Sequence, residues 1–116
     1  MVEIARVSNK FDDLLLGVID ETMKYILGEA NANIIYNYLE SQSCSRREIP
    51  QNIDYFSSAL RDLIGTGRGQ MLGAACILEE TIAETLALRL GQRFLKKQPF
   101  VFADYISALK ELYREE

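Results

Sequence analysis

Residues 69–91, GQMLGAACILEETIAETLALRLG, decide the fold that we predict for this chain. Met71 to Leu78, the eight residues MLGAACIL, carry no strongly polar side chain, and a helix that is apolar on every side is normally buried on every side. The run is far shorter than the roughly 18 residues that span a bilayer. The stretch therefore predicts a long helix, at about residues 70–90, in the centre of a compact all-α bundle.

Glu79 interrupts the apolar stripe of this central helix and lies near its middle. Burying a lone carboxylate costs on the order of several kcal/mol, so the side chain must be bonded or protonated. One interpretation is structural, with Arg61 or a tyrosine hydroxyl as the partner. The alternative is a binding or acid–base group in a pocket that Tyr36, Tyr38 or Arg61 lines. The apolar residues that share this face are Leu72, Ala75, Ile82, Ala83, Leu86 and Leu90.

Length and composition indicate a single globular domain. The chain has 116 residues, of which 48% are hydrophobic and 26% charged, and these are globular values. We expect one domain over residues 1–116, with residues 1–10 as a loose arm. The net charge of −4 disfavours nucleic acid and anionic membranes as partners. Because the chain has no histidine, His-based triads and His-bound metals are excluded, and we predict no cofactor and no metal.

The two cysteines, Cys44 and Cys76, are too few for a disulfide framework. Cys76 lies in the apolar stretch and is predicted to be buried, whereas Cys44 lies in a polar loop and is predicted to be the reactive thiol. The sequence shows no signal peptide and no membrane-spanning run. Free thiols are typical of reducing compartments, so the sequence predicts a cytoplasmic protein.

Four other helices are predicted from apolar residues that recur at helical spacing, which gives a bundle of about five helices in all. They run from a cap at Asn9 to Gly28, over about residues 29–40, from a cap at Asn52 to Gly65, and over about residues 102–114.

Local signals add detail between and after these helices. Ser45 and Glu48 have the spacing of a capping box, which predicts a short turn before Pro50. The central helix either ends near Gly91 or continues toward Pro99, where it must stop.

A glycine-rich segment, Gly65-Thr66-Gly67-Arg68-Gly69, links the third helix to the central one. The simplest interpretation is a connection whose glycines supply positive φ angles. The alternative is an anion bound at the next helix N-terminus with the help of Arg68.

A DNA-binding alternative starts from Ser45-Arg46-Arg47-Glu48, which resembles the opening of a helix-turn-helix unit. It requires a basic face built from Arg46, Arg47, Arg61 and Arg68. The acidic balance of the chain and the break at Pro50 argue against it.

Core positions through the middle of the chain follow a recognisable order. They are Leu39-Glu40, Ile49-Pro50, Phe56, Leu60, Ile64-Gly65, Glu79, Ile82, Leu86, Leu90 and Gly91. In this order they resemble the helical output domains of the Nitrosopumilus type, which occur alone or attached to archaeal signalling proteins. The resemblance covers roughly residues 15–91, with an echo around residues 102–106. It implies a helical fold and an interaction or signal-output role, and it brings no catalytic residues.

The function that the sequence favours is a non-enzymatic helical interaction domain, self-associating as a homodimer and with a signalling protein as a further possible partner. Excess apolar positions support it, both in residues 71–78 and in Tyr25, Tyr36, Phe94, Phe100 and Phe102. The alternatives are a small-molecule-binding protein or enzyme that uses buried Glu79, with Arg61, Arg68 and Tyr38 as further ligand-binding residues, and a DNA-binding regulator.

Overall fold

The computed structural model describes residues 10–64, 74–93 and 101–113, and it contains no strand in these ranges. The prediction of an all-α bundle of about five helices is confirmed. The arm was predicted over residues 1–10, but Lys10 already belongs to the first helix. Residues 1–9, with the Asn9 cap, and the glycine-rich segment, with Arg68, lie outside the described residues. The elements are α1 (Lys10–Leu27), α2 (Glu29–Ser41), a 3₁₀ helix (Arg46–Gln51), α3 (Ile53–Ile64), α4 (Ala74–Arg89) and α5 (Phe102–Tyr113).

Helix α4 lies at the centre of the fold, because it packs against α1, α3 and α5. Its buried residues recur every three or four positions, as expected of a helix with one inward face. This confirms the central helix and the phase predicted for it. The buried residues are Ala75, Leu78, Glu79, Ile82, Ala83, Leu86 and Ala87.

The prediction that residues 71–78 are buried on every side is wrong for the described part of that stretch. Cys76 is exposed, and the side chain of Ile77 is 57% exposed. The neighbouring helices cover only one face of α4, so the apolar residues on its other face remain in solvent. Leu88, which is 63% exposed, lies on that outer face as well.

Helices α1 and α2 are separated by a single residue, Gly28, whose backbone angles are φ 92° and ψ 155°. This region is essentially restricted to glycine, so the two helices meet at a corner and do not form one kinked helix. Asn31, a poor helix former, supports the corner because its side-chain amide donates to the Leu27 carbonyl at 2.9 Å.

The end of α2 explains an error in the cysteine prediction. The Cys44 amide donates to the Leu39 carbonyl and the Ser43 amide to the Glu40 carbonyl, which is the bonding of a Schellman motif. Ser43 occupies the left-handed position, with φ 69°, and the motif turns Cys44 inward against the core. Cys44 is therefore buried and Cys76 exposed, the reverse of what we predicted, and both thiols are free.

The capping box predicted at Ser45 and Glu48 opens the 3₁₀ helix, where the Ser45 amide donates to Glu48 Oε1 at 3.0 Å. The helix continues through Pro50 to Gln51. Gln51 then donates to Asp12 Oδ2 at 2.9 Å, which fastens this segment to α1.

Helix α4 ends at Arg89 and does not continue through Gly91. The Gln92 amide donates to the Ala87 carbonyl and the Gly91 amide to the Leu88 carbonyl, a second Schellman motif. Gly91 takes the left-handed position with φ 74°, so the glycine stops the helix.

Replacing Ser43 with glycine should stabilise the protein by up to about 1 kcal/mol, because a side chain is strained in the left-handed region and glycine is not. Urea unfolding of the Ser43→Gly variant measures the gain. The matched control is Ser107→Gly on α5, an exposed helical position, where the same change should cost about 0.5–1 kcal/mol. Equal losses at the two positions would contradict the assignment of Ser43 to the left-handed position.

Thiol reactivity should follow the observed burial. Cys76 should react rapidly with a thiol reagent in the native protein, whereas Cys44 should react only as the protein unfolds. Burial, with a smaller contribution from the Glu48 charge, raises the pKa of the Cys44 thiol and further slows it. Mass spectrometry of the labelled peptides distinguishes the two sites, and rapid labelling of Cys44 would refute this prediction.

Candidate functional site

Glu79 is the least exposed carboxylate of the described chain, with a relative exposure of 0%. Both of its carboxylate oxygens accept hydrogen bonds from side chains of α3. Arg61 Nη2 donates to Glu79 Oε1 at 3.0 Å, and the Ser57 hydroxyl donates to Glu79 Oε2. Arg61 Nη1 also donates to Ser57 Oγ at 2.8 Å. We call these three residues the Glu79 network; it confirms the prediction of a bonded carboxylate with Arg61 as a partner.

The sequence reasoning missed Ser57, although a signal for it was present. Ser57 follows Phe56 and lies three residues before Leu60, so it falls on the buried face of α3. It also lies one turn before Arg61, where the two side chains can meet. A small hydroxyl on the inward face, one turn from an arginine, is the signal by which Ser57 could have been found.

Burial raises the pKa of Glu79 above its ordinary value, and the hydrogen bond from Ser57 and the charge of Arg61 act against that rise. Since the carboxylate has two donors, the cost of burying it is largely offset. Arg61 spans the boundary of the core, because its side chain is 40% exposed while that of Glu79 is not exposed. The network thus joins α3 to α4 and ends at the surface.

An open groove of about 330 Å³ begins where Arg61 reaches the surface. One wall is a polar stripe of α3 and the other is the start of α5. Ser57 and Arg61 line the groove, whereas Glu79 does not. The lining residues are Asp54, Ser57, Ser58, Arg61, Val101, Phe102 and Ala103.

The two tyrosines that the sequence suggested as neighbours of Glu79, Tyr36 and Tyr38, make their contacts elsewhere. The Tyr36 hydroxyl donates to Asp20 Oδ1 at 2.8 Å. Tyr38 is half-buried on α2 and packs against the core. The hydrogen bonds that Glu79 makes within the described residues run to α3, so the structure joins Glu79 to Arg61 but not to Tyr38.

Tyr36 belongs to a second polar network that fastens α2 to α1. The Arg46 guanidinium lies 3.8 Å above the Tyr36 ring centre, and Lys24 is paired with Asp20 at 3.1 Å. Burial and the bond to Asp20 raise the pKa of Tyr36 well above its ordinary value. Burial acts to raise the pKa of Asp20 as well, but the Tyr36 hydrogen bond and Lys24 outweigh it, and the net direction is down.

The outward face of α4 carries a stripe with apolar ends. We call Ile77, Thr81, Glu84 and Leu88 the outer stripe; successive members are four, three and four residues apart, so they lie on one side of the helix. Ile77 and Leu88 are largely exposed, and Glu84 is exposed between them. The buried stripe lies on the opposite side, so α4 carries apolar residues on two faces, with polar residues between those of the outer one.

No family model, curated protein or solved structure matches this chain. Within the described ranges, no group of side chains is arranged to hold a metal ion. None of the helices described here combines the length and the apolar character that crossing a bilayer requires.

Removing the Glu79 carboxylate should destabilise the fold according to what replaces it. Glu79→Leu should cost about 1–3 kcal/mol, because it leaves the Ser57 hydroxyl without its acceptor and Arg61 without its counter-charge. Glu79→Gln should cost less, since the amide keeps the shape and an acceptor oxygen. Chemical denaturation measures both variants, with Glu40→Leu at an exposed site of α2 as the matched control. A Glu79→Leu variant as stable as the wild type would disprove the structural role.

Proposed function

We propose that this chain is a non-enzymatic helical interaction domain that associates through the outer stripe of α4. The observation that carries the proposal is the exposure of Ile77 and Leu88 on the helix that also forms the centre of the core. The two side chains lie on the same side of the helix, about 16 Å apart along its axis, and exposed apolar surface is typical of protein–protein contacts. Association would remove them from water, and each fully buried side chain of this size contributes about 1.5–3 kcal/mol.

The state of Glu79 supports an interaction domain over an enzyme or a ligand-binding pocket. A catalytic or ligand-binding carboxylate needs access to its substrate. Glu79 is fully buried, both of its oxygens accept hydrogen bonds from α3, and the groove at Arg61 stops short of it. These contacts favour a structural carboxylate.

Two of the four arginines of the DNA-binding alternative are engaged within the protein. Arg46 is stacked on Tyr36, and Arg61 is paired with Glu79. Their side chains therefore contribute less to a basic face than their number in the sequence suggests. This favours a protein partner over a nucleic acid.

The aromatic residues that first suggested a dimer contribute less than expected. Tyr36 and Phe102 are buried in the core, and Phe94 and Phe100 lie outside the described residues. Tyr25, with 89% exposure, is the member of that set that the structure shows at the surface. The case for association now rests on α4.

The resemblance to archaeal helical output domains also favours an interaction or output role. Two free cysteines favour a cytoplasmic location. The proposal therefore describes a small regulatory domain that works by binding other protein surfaces, including its own.

Light scattering at micromolar concentration should give the mass of a dimer for the wild type. The double variant Ile77→Glu, Leu88→Glu should be monomeric, because it places charges on both apolar ends of the outer stripe. Ile34→Glu is the matched control, since Ile34 is 58% exposed on α2, and it should leave the dimer intact. A monomeric wild type would refute the proposed function.

A further inference from the structure

The groove between α3 and α5 carries opposite charges that are not paired with each other. Asp54 and Arg61 both line it, and they lie seven residues apart, on the same side of α3. Among the ion pairs of the described residues, Arg61 is joined to Glu79, and Asp54 takes part in none. The groove therefore has an acidic end and a basic end.

The Glu79 network holds Arg61 in one orientation. Arg61 Nη1 donates to Ser57 Oγ at 2.8 Å, and Nη2 donates to Glu79 Oε1 at 3.0 Å. A guanidinium has more N–H donors than these two bonds use, and the Arg61 side chain is 40% exposed. A planar donor group that is already immobilised loses little conformational freedom when it binds a carboxylate. Glu79 does not line the groove and serves it by positioning Arg61.

The charges around the groove select the class of ligand. A simple anion is disfavoured, because Asp54 and the buried Glu79 both repel it. A simple cation is disfavoured by Arg61. A molecule with one ammonium and one carboxylate group is neutral overall and satisfies both ends at once. The Ser58 hydroxyl, exposed between the two ends along α3, can donate to the carboxylate or accept from the ammonium.

We propose that this groove binds an α-amino acid with an apolar side chain. The ammonium group pairs with Asp54, and the carboxylate accepts hydrogen bonds from Arg61. Both groups are attached to the same carbon, and the two ends of the groove are brought together because Arg61 leans back by one turn to donate to Ser57. The ligand's side chain lies toward Val101, which is 46% exposed at the start of α5. The volume of about 330 Å³ is that of a small-ligand site.

This inference does not depend on the proposed function. The groove lies between α3 and α5, whereas the outer stripe lies on α4. A monomer in light scattering therefore leaves the amino-acid site standing, and failure to bind an amino acid leaves the proposed dimer standing.

The first experiment titrates the isotope-labelled full-length protein with alanine, valine, leucine and phenylalanine and follows the backbone amide resonances. We expect saturable shifts at Ser58 and Ala103, which lie on opposite walls of the groove. The amide of Glu40, at an exposed position of α2, is the internal control and should not move. If none of these amino acids shifts Ser58 and Ala103 at millimolar concentration, the site is refuted.

The second experiment tests the need for both charges with analogues of the amino acid that binds most tightly. For leucine these are isocaproate, which lacks the ammonium group, and isoamylamine, which lacks the carboxylate. Each should bind more weakly by about tenfold or more, because it leaves one charged end of the groove without a partner. An analogue that binds as tightly as the amino acid overturns the assignment.

Variants of α3 test the acidic end. Asp54→Asn should weaken amino-acid binding by about tenfold or more, whereas the matched control Asp62→Asn, at an exposed position outside the groove, should not. Asp54→Lys should abolish amino-acid binding and allow isocaproate to bind, because both ends are then positive. Arg61 is left in place, since replacing it would also break the Glu79 network. Wild-type affinity in Asp54→Asn, or an equal loss in Asp62→Asn, overturns the proposed pairing.

Discussion

The Glu79 carboxylate is the constraint on which the rest of the bundle depends. It lies on the helix that contacts α1, α3 and α5, and it is closed off from water on the side of α3. An ionised group in that position is tolerated only while its donors are held in place. The register of α3 against α4 is therefore fixed by chemistry as well as by shape, because sliding α3 by one turn would remove Ser57 and Arg61 from the carboxylate. Ion pairs at the surface, such as Arg89 with Glu21, contribute little to stability and constrain the positions of the helices less.

Much of the fold follows from the period of the sequence. The inward face of α4, the burial of Glu79 and its pairing with Arg61 could be predicted, because apolar spacing fixes the phase of a helix and a buried charge demands a partner. The exposure of Ile77 on the outward face could not be predicted in this way. The sequence shows that α4 is apolar on two sides, but the number of helices available to cover it is a property of the whole fold.

The cysteine error has a different origin. A left-handed residue after a helix is normally glycine or asparagine, and here it is Ser43, so the turn that carries Cys44 into the core leaves no clear mark in the sequence. At Gly28 and Gly91 glycine stands where positive φ is required, so the sequence marked both as places where a helix could end, while leaving open a kinked helix at Gly28 and a continuation past Gly91. Ser57 is an intermediate case. The helical period places it on the buried face of α3, but small hydroxyl residues are common on such faces, so its role as a donor to Glu79 could not be singled out.

The position of α4 in the chain has a consequence for the order of assembly. Helices α1, α2 and α3 and the 3₁₀ helix contact one another and are made first, whereas the helix that fills the space between them is synthesised after them. During synthesis, the N-terminal half therefore exposes the surface that α4 will later cover. Until α4 is made, Ser57 and Arg61 lack the carboxylate that accepts their hydrogen bonds. Since contacts between distant parts of a chain form slowly, we expect this nascent half to be the species most exposed to aggregation and to chaperones.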